Sequence, residues 1–117
     1  MSTRTPDEAT VVAFNERINA RDFEGLIGLM TDEHYFVDTD GNAVVGRDAC
    51  ADAWRGFFTA FPDYRNRFAT VRTVAPGVVE VEGSSECAVP ELCGPANWRV
   101  VVVDGCVHEW HVSVPEP

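Results

Sequence analysis

The chain has 117 residues, 45% of them apolar and 10% aromatic, which suits one packed domain and argues against disorder. Nineteen acidic residues face nine basic ones, all arginine, and the formal charge of −10 lacks the positive face that nucleic acid or an anionic membrane needs. No apolar run approaches the ~18 residues of a membrane span, and the opening Met1-Ser2-Thr3-Arg4-Thr5-Pro6 lacks the apolar stretch of a secretion signal, so a cytoplasmic protein is expected.

Thr5-Pro6-Asp7-Glu8 predicts a helix start. Thr5 can cap, proline suits the first helical position, and Glu8 completes a capping box. Val11, Phe14 and Ile18 follow at helical spacing, and the helix should end near Ala20-Arg21. Asp22 can cap a second, short helix carrying Phe23, Leu26, Ile27 and Met30 on one face. His34 to Asp38 reads as a short strand with His34, Phe36 and Asp38 on one side and Tyr35 and Val37 on the other. Thr39-Asp40-Gly41-Asn42 is turn chemistry, and Ala43 to Val45 is a short return strand.

A third helix follows Gly46, with Cys50, Ala53, Trp54, Phe57, Phe58 and Phe61 as its apolar stripe, and Pro62 stops it. Four strands should follow. Tyr64 to Val74 is long and mixed. Val79, Val81, Gly83, Ser85 and Cys87 alternate with polar residues, as on a sheet with one wet face. Asn97 to Val103 is apolar on both sides, and Asp104-Gly105 is a hairpin turn leading to Cys106–Val114. Three helices on a curved antiparallel sheet make an α+β domain spanning residues 1–117.

Several chemistries find no motif. There is no glycine-rich phosphate loop, no G-x-S-x-G elbow and no HExxH. Cys50, Cys87, Cys93 and Cys106 form no CxxC pair, and the expectation is four reduced thiols, no metal and no cofactor. His108 and His111, three apart on a strand, should point to opposite faces.

Five short signals carry a family resemblance through their order. They are Asn19-Ala20-Arg21-Asp22-Phe23, Leu29-Met30-Thr31-Asp32-Glu33, Val45-Gly46-Arg47-Asp48-Ala49, Phe61-Pro62-Asp63-Tyr64 and Asp104-Gly105-Cys106-Val107-His108-Glu109. Together they resemble the SnoaL-like branch of the NTF2-like superfamily, across nearly the whole chain. The resemblance implies a cone-shaped domain whose bent sheet encloses a cavity. It also implies a sheet-to-sheet homodimer.

By the same resemblance, Asp38 falls where ketosteroid isomerases keep their catalytic base, and an acidic residue serves as acid/base in SnoaL-type cyclases. A desolvated carboxylate there can take a proton from carbon beside a carbonyl. The competing reading of Asp38 is a plain turn cap. The isomerase oxyanion donors are missing: the helix position holds Phe14, and the strand position falls at Asn97 or Arg99. Arg99 or Asn97 is left as a replacement donor. His34 is a candidate partner for Asp38. Phe14, Trp54, Phe58, Trp98 and Trp110 form the expected aromatic pocket, with His108 as a deeper polar contact and His111 on the other face. Trp54 and its neighbours read equally as ordinary core. A register slip of one residue would exchange His108 and His111. The expected partner is an apolar small molecule with one or two polar handles. An isomerase or cyclase, a non-catalytic binding protein and a dimeric scaffold all remain open, because one fold hosts all three.

Overall fold

A computed structural model describes residues 4–115 of the chain. Helix α1 spans Pro6–Ala20. Thr5 accepts the Glu8 amide while the Glu8 carboxylate accepts the Thr5 amide, so the capping box forms as its sequence predicts. Val11, Phe14, Asn15 and Ile18 are its buried stripe. Helix α2, Phe23–Gly28, is capped by Asp22. Strands β1, Met30–Val37, and β2, Ala43–Val45, form a hairpin. Helix α3, Arg47–Ala60, follows, then β3 (Arg65–Ala75), β4 (Val78–Glu86), a short 3-10 turn (Pro90–Leu92), β5 (Gly94–Val103) and β6 (Cys106–Ser113).

The α+β class holds, and among the described residues two helices precede the first strand while α3 follows β2, in the order read from the sequence, so the three helices are not all N-terminal to the sheet. One detail is corrected. The sheet is mixed rather than antiparallel. Its order is β2-β1-β6-β5-β4-β3, and β1 runs parallel to β6. A parallel pair needs a long connection, and α3 with the β3–β5 meander supplies it.

All three helices lie on one side of this sheet. Helix α1 packs over β3 to β6, and α3 covers β1 and β2. Bulges bend the sheet around them. Register shifts fall between Phe68 and Thr70, between Thr73 and Ala75 on β3, and between Val101 and Val102 against β6. An extra residue on one strand bends it and increases its twist. Gly83 sits opposite the first of these shifts, where an added Cβ would meet the Arg67 carbonyl oxygen at 2.0 Å. Only glycine lets β3 approach that closely. Strand β5, expected to be apolar on both faces, alternates instead: Ala96, Trp98, Val100 and Val102 are buried while Arg99 and Val103 are exposed. Among the described residues no helix is long and apolar enough to cross a membrane.

Candidate functional site

The concave side encloses a cavity of about 260 Å³. Trp98 of β5 and Trp110 of β6 form its sheet wall. Trp54 and Phe57 of α3 form its helical wall, and Phe36 and Val44 close it from β1 and β2. The aromatic rings meet edge-on or tilted, with Phe36–Trp54 and Trp54–Phe57 centroids both 5.7 Å apart. Such contacts lock the walls in place. Near its mouth Cys93 follows the 3-10 turn; its thiol and that of Cys87 both donate to the Val89 carbonyl, each at 3.3 Å. Four thiols, at Cys50, Cys87, Cys93 and Cys106, are free.

Asp38 lies at the rim, one residue past the end of β1. Its Oδ1 accepts the backbone N–H groups of Asp40 and Asn42, both at 2.9 Å. The residue is therefore both a turn cap and a cavity-lining carboxylate. The turn fixes the carboxylate plane and fills one oxygen, and Oδ2 is the oxygen left for a ligand.

His34 does not join it. The histidine is fully buried, and its Nδ1 lies 2.8 Å from the Val107 carbonyl oxygen. A carbonyl only accepts, so Nδ1 carries the proton. Nε2 is buried with no partner among the described residues. Burial pushes the imidazole pKa down, outweighing the Val107 bond, so the ring is neutral. Four residue steps carry the chain from His34 to Asp38, roughly 13 Å at about 3.3 Å per residue. They share a face, as the alternation predicts, but His34 lies behind the cavity against Phe14 at 5.8 Å.

Phe14 is likewise core rather than wall. It fills the space between His34 and Trp110, 4.7 Å from the latter, and does not line the cavity. Phe58 also turns away. Helical spacing puts Phe57 on the cavity side and Phe58 toward Arg21, whose guanidinium sits 5.3 Å from its ring centroid. Trp54, Trp98 and Trp110 do line the cavity.

The polar expectations on the sheet are overturned. Arg99 and Asn97 line a separate, polar pocket on the outer face with Thr70, Arg72, Glu82 and His111, and neither lines the aromatic cavity as an oxyanion donor. His108 also faces outward. Ladder pairs run Val101 to Glu109 and then Val102 to Val107, leaving His108 as the extra residue of the bulge. Strict alternation would put His108 beside Trp110. The bulge instead puts Val107 and Trp110 together in the core, 0% and 1% exposed. His108 Nδ1 meets Thr31 Oγ1 at 2.9 Å. Both His108 and His111 stand edge-on to Tyr35.

Tyr64, Asn66 and Ser85 line the cavity without having been expected there. Their signals were present. Tyr64 closes the Phe-Pro-Asp-Tyr motif, and Ser85 follows Val79 and Val81 on the inward phase of β4. The Asn19-Ala20-Arg21 junction now has a physical role. Arg21 takes a left-handed conformation (φ 59°) at the end of α1 and donates to the carbonyls of Ile18, Pro62 and Tyr64. That guanidinium fastens the α3–β3 turn. The Asn19 side chain pairs with the Asn66 backbone as a neighbouring strand would. Its Nδ2 donates to Asn66 O at 2.8 Å, and its Oδ1 accepts Asn66 N–H at 2.9 Å.

Comparison with known structures agrees on the fold. A provisionally named polyketide cyclase from Sinorhizobium meliloti is 15% identical with a TM-score of 0.80, over 90% of this chain and 94% of that one. A provisionally named ketosteroid isomerase from Kribbella flavida is 18% identical with a TM-score of 0.77, over 96% and 79%. An NTF2-like protein of unknown function from Cytophaga hutchinsonii is 11% identical with a TM-score of 0.78, over 98% and 95%. At such identities the likeness shows the α+β, NTF2-like fold alone. No curated protein matches the sequence. The sequence profile of the SnoaL-like domain matches residues 11–113, and by that match the chain belongs to the SnoaL-like domain family.

Proposed function

We propose that the chain binds a flat, apolar, carbonyl-bearing small molecule in the aromatic cavity and acts on it as a cofactor-independent isomerase or cyclase, with Asp38 as acid/base. The carrying observation is Asp38 itself, a carboxylate fixed by two backbone N–H bonds at the rim of a cavity walled by Trp54, Trp98 and Trp110. Positioning of this kind is what proton transfer requires. The cavity lies just below the usual range of about 300–1,000 Å³ for small-molecule sites, which favours a compact ligand of one or two rings.

Proton exchange tests the catalytic step without knowledge of the natural substrate. With 2-tetralone in D₂O, the protein should accelerate loss of the protons beside the carbonyl, and Asp38→Asn should remove about 10²–10⁴ of that acceleration. Equal rates for the two proteins would end the acid/base role. The alternative is a non-catalytic binding pocket. It draws on the same turn geometry, because a capping role alone accounts for an aspartate at position 38.

The outer face serves as a contact surface for a second copy in this reading. It presents Tyr35 and His111 beside Arg99, and mass by light scattering at micromolar concentration should be that of a dimer. A monomer mass would remove this part.

A further inference from the structure

Tyr64, Ser85 and Asn66 form a hydrogen-bonded row in the cavity wall that the acid/base step does not use. Ser85 Oγ donates to Asn66 Oδ1 at 2.9 Å, which commits its single proton. Tyr64 Oη lies 3.0 Å from Ser85 Oγ, so the phenol is the donor in that pair. Burial pushes the Tyr64 pKa up, which keeps that proton in place at neutral pH. Protons therefore run from Tyr64 to Ser85 to Asn66. With one lone pair of its oxygen taken by Ser85 and no hydrogen bond from its Nδ2 among the described residues, Asn66 has that group left as the donor for a ligand.

Asn66 is only 3% exposed and lines the cavity. Asn19 grips both sides of its backbone, and Asn15 Nδ2 adds a third bond to its carbonyl at 3.3 Å. This residue is held more firmly than β-pairing with β4 alone would require. Its Nδ2 is not among the fully buried atoms left without a partner, so the amide group is reached from the cavity.

Its place in the sheet defines what it can do. Asp38 follows β1 and Asn66 opens β3, four ladder steps apart in the order β2-β1-β6-β5-β4-β3. At about 4.8 Å per step the path along the sheet is about 19 Å, shortened across the concave side. The two residues therefore line the same cavity from strands that are not neighbours, on either side of the β6-β5-β4 wall, so that they meet different parts of a ligand. Resting on the cavity reading above, we propose that Asn66 Nδ2 recognises a second ligand oxygen, carbonyl or hydroxyl, at the end of the cavity remote from Asp38, with Asn19 as its positioning residue. The ligand class is then an apolar ring body with oxygen functions at both ends.

The test uses 1-indanone and its hydrocarbon counterpart indane, with binding read by tryptophan fluorescence. In Asn66→Leu the dissociation constant for 1-indanone should rise about fivefold, the factor of one net hydrogen bond, and that for indane should stay within twofold. Asn19→Ala should lower the same preference by a smaller factor. In the unaltered protein, the Asn66 Nδ2 proton resonances should move with 1-indanone and stay with indane, a readout that needs no variant to fold. Parallel changes for both probes, or an unmoved Asn66 resonance with 1-indanone bound, would overturn the inference and leave the cavity reading intact. Absence of binding by either probe to the unaltered protein would overturn both.

Discussion

The two faces of the sheet share the same strands and differ in kind. On the concave face Trp98, Val100 and Trp110 are 0–2% exposed and meet one another through apolar surface. On the outer face alternate residues of the same strands, among them Tyr35, Arg99, Glu109 and His111, are partly or fully exposed and meet through polar atoms. There His111 Nε2 lies 2.8 Å from Glu109 Oε1. Burial tends to raise the Glu109 pKa, but the bonds from Tyr35 and His111 outweigh it and hold it below the usual carboxylate value. Alternation sorts the residues, and a single inserted residue, His108, decides the sorting at one end. Net energy belongs to the concave face. Polar pairs at a wet surface contribute about 0.2–1 kcal/mol each, whereas a buried tryptophan is worth several.

Adjacent substitutions on β6 give the sharpest break of that contrast. Trp110→Ala should cost about 3–5 kcal/mol in urea unfolding, because it opens a void against Phe14 and Phe68. His111→Ala, one residue on, should cost under about 1 kcal/mol. Comparable losses would mean that the outer face is buried in an assembly.

A pH slope should come next. The folded state holds His34 neutral with a pKa below its ordinary 6.5, so the unfolded chain binds more protons as acidity rises. The stability contributed by the neutral ring is whole above about pH 6.5 and is lost progressively below it. The thermal midpoint should therefore fall between pH 7.5 and pH 5.5. His34→Gln, which can still donate to Val107, should flatten that fall. An unchanged slope in the variant would assign it to other groups.

The smallest effect belongs to Glu109→Gln, under about 1 kcal/mol in monomer stability. If two copies meet through the outer face, this substitution should still shift their association measurably in sedimentation. An unchanged dissociation constant would place the contact elsewhere.

Local chemistry made much of this fold legible. The Thr5–Glu8 capping box, the Asp104-Gly105 turn and the inward phase of Val79, Val81 and Ser85 each depend on neighbours within a few residues. What was hidden depends on partners far along the chain. Nothing near His34 reveals that β1 lies parallel to β6. Nothing near His108 marks it as a bulge, because the extra residue is defined only by which β5 residues it fails to pair. The site followed the same division. Trp54, Trp98, Trp110 and Asp38, which line the cavity, were named through the family resemblance, whereas Asn66 required the Asn19 clamp, a contact across 47 residues.

The parallel β1–β6 ladder also sets the order of events during synthesis. Met30 pairs with Val107 and Val37 with His111, so the first strand made waits for the last. A nascent chain that has not yet released Cys106–Ser113 holds a β1–β2 hairpin and a β3–β5 meander with no ladder joining them. Each fragment carries an open edge able to pair with a neighbouring chain. Closure across so much sequence is slow, and premature termination anywhere before the final hairpin leaves both edges unsealed.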